Sequence, residues 1–194
     1  MKNIFVLFSP GTGGNHFANM LSTDTRFNQR TTVSDYKAHD RPNAHTSKFK
    51  NLQPAGIKKL PAEGNVLCGH LGEYYWLNDS GLLRKFCNKQ LFILEVPQCG
   101  TIAWNRWNTY NQFDKSHTYL REEQRSLYTI KVIEMLFREN DIVSLSCELL
   151  FQSDLTKLFN LISSQSDISL NKDACNSMHK IWLEKIMNQN HKKG

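Results

Sequence analysis

The chain predicts an α/β fold with a mainly parallel central sheet of about four to five strands. Three observations predict it. Short apolar runs of strand length recur at 3–8, 65–69, 90–96 and 142–146. Helical or long segments separate them, which is what crossovers between parallel strands require. A glycine-rich turn follows the first run at once.

The first run, Ile4 to Phe8, is continuously apolar, as suits a central strand covered on both faces. Gly11, Gly13 and Gly14 come next. Glycine admits positive φ and lets a ligand approach the main chain closely. Phe17, Met20 and Leu21 then recur at helical spacing, so a helix opens near Gly14 or Asn15. A strand-end loop feeding a helix N-terminus presents unpaired N–H groups and the positive end of the helix dipole to an anion. The lysine-bearing phosphate loop does not fit, because no lysine lies between Asn3 and Asp24. Nor does the dinucleotide fingerprint, whose third glycine position holds His16. A tight turn that binds nothing is the competing reading.

Residues 23–64 form a long polar loop or lid, with a short strand near Thr31 to Val33. His39 and His45 lie in it and read as solvated, substrate-facing or metal-binding. The second strand, Asn65 to Gly69, ends at His70, where open α/β sheets place their ligands. Tyr74 to Leu77 are four apolar residues in succession, which read as core or as an acceptor pocket. The third strand, Gln90 to Val96, leads to Pro97, which opens a helix at its first position and carries Arg106. Leu120 to Glu139 spaces as a long helix, and Ile142 to Ser146 is the fourth strand. Leu155, Leu158, Phe159 and Ile162 mark another helix. Residues 163–172 are a polar linker, and Cys175, Met178, Trp182 and Ile186 space as an amphipathic closing helix whose stripe reads as core.

Composition narrows the function. A chain of 194 residues suits a single domain, 1–194. Its formal charge of +6 favours acidic ligands such as nucleotides, but no dense basic stripe marks it for duplex nucleic acid. Five scattered cysteines without a C-x-x-C suggest reduced thiols in a cytoplasm. No apolar run approaches the ~20 residues of a membrane span. Histidines and cysteines show no metal-ligand spacing beyond Cys68-x-His70.

The run from Pro10 through Gly11, Thr12, Gly13, Gly14, Asn15 and His16 to Leu21 resembles the 5′-phosphosulfate loop of sulfotransferases, P-K-S-G-T-T-W-L. The proline-to-leucine spacing matches without a gap. Thr12 falls on the loop serine, Gly13 on the glycine, Asn15 on a threonine, His16 on the tryptophan and Gly11 on the lysine. Cys68-Gly69-His70-Leu71 is similar to the K-T-H-L strand end, whose histidine is the general base. Pro97 matches the R-x-P element that binds the donor's 3′-phosphate, although Glu95 stands at its arginine and Ala103 at its serine. Cys147 to Leu150 is similar to the family's acidic turn.

The resemblance implies a P-loop-type three-layer fold and 3′-phosphoadenosine-5′-phosphosulfate (PAPS) as donor. It implies a hydroxyl or amine acceptor on a small molecule, glycan or peptide. Gly11, Thr12, Gly13, Gly14, Asn15 and His16 would hold the phosphosulfate and His70 would be the base. With Glu95 and Ala103 at the family's positions, either Arg106, further along the helix, takes the 3′-phosphate or the ligand has none. Imidazole is apt for that step, because its pKa lies near operating pH. Two alternatives remain open: a scaffold of this fold without chemistry, in which an oligomer is possible, and a divergent phosphotransferase.

Overall fold

The computed structural model describes residues 1–9, 11–38, 60–70, 88–95, 97–112 and 137–190, together with Phe86 and Ile133. Four parallel strands form one sheet: β1 (Asn3–Phe8), β2 (Val66–His70), β3 (Lys89–Glu95) and β4 (Ile142–Ser146). Their order is β2-β1-β3-β4. Register places Phe8 beside His70 and Glu95 beside Ser146, so all four carboxyl ends meet on one edge. Chain order reverses direction between β1 and β3, which makes their carboxyl ends the crevice where ligands of such sheets bind. The α/β class and the parallel sheet are as the apolar runs predict.

Alternation along β1, which is buried throughout, explains why its run is continuous. Ile4, Val6 and Phe8 face one cluster with Phe92, Leu94, Val143 and Leu145. Phe5 and Leu7 face the other with Leu67, Leu91, Phe86, Ile133 and Phe137. The first face is covered by helices α1 (Gly14–Leu21), α3 (Thr156–Gln165) and α4 (Lys172–Asn190). Helix α2 (Ile102–Gln112) follows β3, and 3₁₀ turns at Glu139–Asp141 and Cys147–Phe151 flank β4. No helix among the described residues is long and apolar enough to cross a membrane.

Three sequence expectations change. Pro97 does not open α2. Gly100 takes φ +88, and Thr101 starts the helix by accepting the Trp104 N–H at 3.1 Å on its hydroxyl, so the cap lies four residues after the proline. Thr31 to Val33 is not a strand. Its Thr31 N–H reaches back to the Ser22 carbonyl at 3.1 Å, and the segment continues as turns. Helix α3 runs through Gln165, which shortens the polar linker, and the linker buries Ile168. His39, His45, Tyr74 to Leu77 and most of the Leu120 to Glu139 helix lie outside the described residues.

The shortened linker is tied to the end of α1. Asp24 is 2 % exposed and accepts the Ser169 N–H at 2.8 Å, the Arg26 N–H at 3.0 Å and the Arg26 guanidinium at 2.9 Å. Thr23 accepts the Asn171 N–H at 3.2 Å. Burial pushes the Asp24 carboxyl up, but the Arg26 and Ser169 hydrogen bonds and the Arg26 charge outweigh it and leave the group below its ordinary value. A depressed carboxylate stabilises the fold above its unfolded pKa, and that stability is lost as pH falls through the folded one. Asp24→Asn is expected to cost about 2 kcal/mol at pH 7, the scale of hydrogen bonds to a charged group. It should also flatten the acid limb below about pH 4 in denaturant titrations. An unchanged acid limb would show that Asp24 does not anchor the linker.

Candidate functional site

The loop after β1 owes its shape to its own residues. Gly11 and Gly13 take φ +91 and +86, which side-chain-bearing residues rarely adopt. Gly14 is required for a different reason: a Cβ there would lie 2.0 Å from Cγ of Phe8, whose ring folds back over the loop. Thr12 is buried, and both its N–H and its hydroxyl donate to the Ser9 carbonyl, at 3.2 and 2.7 Å. All three glycines therefore have structural reasons to be glycine.

Helix α1 begins without a side-chain cap: its N-cap is Gly13. No acidic residue stands in its first turn. An uncapped N-terminus on a carboxyl edge keeps the dipole's positive end and the first N–H groups for another partner. Asn15 is half-buried in that turn, and its side-chain oxygen accepts the Cys68 thiol at 3.9 Å. His70, half-buried, stands across the edge with its ring 5.0 Å from the Phe8 ring, edge to face. The structure therefore brings Gly11 to Asn15 and His70 to one edge, as the two sequence motifs expect.

The other half of that edge is acidic. Glu148 accepts the Gln98 N–H at 2.9 Å, and Glu95 is exposed at the end of β3. Cys147 reports their field: burial first, then the Glu148 and Glu95 charges, push its thiol up to about 12. An anion on this edge is repelled from the β3–β4 side and favoured over the N-terminus of α1. Ala103 is buried and offers no hydroxyl.

His16 does not face the edge. It is 2 % exposed and sits in a hydrogen-bonded chain of side chains. Tyr36 Oη lies 2.8 Å from His16 Nδ1, His16 Nε2 lies 3.1 Å from His179 Nδ1, and His179 Nε2 lies 2.7 Å from the Gln152 carbonyl. The carbonyl only accepts, so His179 carries its proton on Nε2 and accepts on Nδ1. His16 therefore donates from Nε2 and accepts the Tyr36 hydroxyl proton on Nδ1. Every group is satisfied with both rings neutral. Burial first, and then the neighbouring His179, hold His16 well below the ordinary histidine value. Burial also lowers His179, against the Gln152 bond. Burial raises the Tyr36 hydroxyl.

Trp182 of α4 joins this chain to the loop. Its ring stacks on His16 at 4.5 Å and 12° between planes. A Cβ on Gly13 would lie 3.1 Å from it, so the indole packs directly on the loop. The Arg106 guanidinium lies 5.7 Å from the Trp182 ring centre, which brings α2 to the same place. Lys2, a conceivable replacement for the loop lysine, pairs with Asp141 at 3.3 Å near the opposite edge of the sheet. Lys37 follows the buried Tyr36 and is exposed, and Arg41 and Lys48 lie outside the described residues.

Sequence reasoning missed His179 and Tyr36. Their partners lie 163 and 20 residues away from them in the chain. One signal was available for His179: it sits four residues after Cys175 and three before Trp182, on the apolar stripe of the closing helix. A titratable group on such a stripe needs a buried partner. Comparison with protein-family models, curated proteins and solved structures returns no match to this chain.

Proposed function

We propose that this chain is a sulfotransferase-like enzyme that binds PAPS at the β1–α1 loop and passes its sulfuryl group to a hydroxyl or amine. The observation carrying the proposal is the uncapped N-terminus of α1, behind two left-handed glycines, on the sheet edge that also holds His70. The donor fits at its phosphosulfate end. The N–H groups of Gly13, Gly14 and Asn15 bind that end, where oriented dipoles also stabilise charge developing in the transition state. Thr12 fixes the loop through Ser9, and His16 fixes α1 to α4, so both build the cradle from behind. Arg106, held on Trp182, supplies positive charge beside the loop. His70 takes the proton of the acceptor as its oxygen or nitrogen attacks sulfur and the bond to the bridging oxygen breaks, releasing 3′,5′-bisphosphoadenosine. Glu95 and Ala103 do not suit a 3′-phosphate, so the adenosine end is held by other residues. A cytoplasmic setting and an acceptor on a small molecule, glycan or peptide go with this reading.

Asn15→Asp tests the site without disturbing the fold. The added charge sits at the positive end of a helix dipole, so folding stability should hold or rise by roughly 0.3–1 kcal/mol. Affinity for 3′,5′-bisphosphoadenosine should fall at least about tenfold, because the same charge now repels the ligand. His70→Gln should keep that affinity and lose transfer to an acceptor by about a hundredfold or more. Equal affinity in wild type and Asn15→Asp would place the ligand elsewhere.

A second reading is a binding scaffold of this fold without chemistry. It is favoured by the internal commitments of Thr12 and His16 and by a structural reason for every loop glycine. No affinity for 3′,5′-bisphosphoadenosine in the folded protein would select it.

A further inference from the structure

The chain Tyr36–His16–His179–Gln152 joins four parts of the molecule that are distant in sequence. Tyr36 belongs to the segment after α1, His16 to α1, His179 to α4 and Gln152 to the turn after β4. A proton added on His16 Nδ1 turns round its bond to the Tyr36 hydroxyl, which accepts as well as donates, and a proton added on His179 Nδ1 sets it donor to donor against His16 Nε2. Either one puts a positive charge where both rings are 2 % exposed.

Among the described residues, neither ring has a carboxylate as hydrogen-bond partner. On the turn after β4, Asp154 accepts the Thr156 N–H at 2.9 Å and hydroxyl at 2.7 Å, and Glu148 accepts the Gln98 N–H. The Cys147 thiol there is uncharged. On α4, Cys175 is a buried thiol pushed up to about 11 by burial, against its Thr23 hydrogen bond. Lys180 and Glu184 of α4 are exposed in the cleft beside His179. Asp35 and Lys37 flank Tyr36 and are exposed. Arg106 of α2 lies over Trp182 and adds positive charge on that side. Protons have a way in, because His179 lines an open cleft of ≈ 450 Å³ with Asp154, Asn176, Lys180 and Glu184.

We propose that the Tyr36–His16–His179 chain is an acid-released latch, which docks α4 and its Trp182 on the glycine loop while both imidazoles are neutral and lets α4 go when they are protonated. The part that bears on ligand binding, loss of the Trp182 wall beside Gly13, rests on the anion-site reading. The latch itself does not.

The sign follows from linkage. Both rings are held below the ordinary histidine value when docked, so the undocked state binds more protons. Docking is fully present above about pH 6.5 and is lost as pH falls below it. Asp24 acts in a lower window, below about pH 4, so the two effects separate.

The experiment is hydrogen exchange of the full chain without ligand, with amides of α4 read as protection factors from pH 7.5 to pH 5. Two protons taken up on undocking lower protection by up to about a hundredfold per pH unit below pH 6.5. Protection across β1 and β3 should stay flat. The triple variant His16→Leu, His179→Leu, Tyr36→Phe removes the titrating groups and should make α4 protection independent of pH. If that variant does not fold, His179→Gln carries the test, with the fall reduced to about tenfold per unit. Flat wild-type protection of α4, or an undiminished fall in whichever variant folds, would overturn the latch. Because no ligand is present, these outcomes are independent of whether the loop binds PAPS.

Discussion

Trp182→Ala is expected to lower folding stability by about 3–5 kcal/mol, the range for truncating a buried aromatic side chain. The indole is 2 % exposed and stacks on His16. It also lies 5.1 Å from the Phe151 ring and packs on Gly13. Alanine would leave a cavity at the junction of α1, α4 and the turn after β4. For a chain of this length, the loss is about 6–20 °C in Tm. Guanidinium unfolding followed by far-UV circular dichroism checks it. A change below about 1 kcal/mol would mean that α4 is not held at this point.

Gly14→Ala should destabilise by about 3 kcal/mol, at the upper end of overpacking costs. The sign is diagnostic. Helix propensity alone favours alanine over glycine by about 1 kcal/mol. The new methyl, however, would lie 2.0 Å from the Phe8 ring at its attachment carbon, which cannot swing away as a chain end can. Phe8→Leu in the same molecule should recover part of the loss, which a double-mutant cycle measures. A stabilising Gly14→Ala would show that the ring does not fold over the loop as described.

The sheet was legible because β1 is buried on both faces, which produces a continuous apolar run, while β4 keeps its buried Val143 and Leu145 in alternation with exposed serines; both strands fall where those patterns predict. The start of α1 was legible from the glycines and the Phe17, Met20, Leu21 spacing. The start of α2 was not, because the cue at Pro97 was overridden by the left-handed Gly100 and the Thr101 cap. At the loop, sequence located the glycines and left open whether they serve a ligand or a tight turn. Positive φ at Gly11 and Gly13 and the Phe8 ring against Gly14 account for them without a ligand. His16 matched a loop position in the resemblance, yet its side chain is turned towards α4. Nothing local foretells that, because the contact closes between residues 163 apart.

The central claim is that an anion binds at the N-terminus of α1. The most direct measurement follows the backbone amide resonances of Gly13, Gly14, Asn15 and His16 while 3′,5′-bisphosphoadenosine is added at pH 7.5. The account predicts saturable shifts centred on these four amides, weakened in Asn15→Asp. Shifts clustered elsewhere, or none in a folded sample at millimolar ligand, would contradict it.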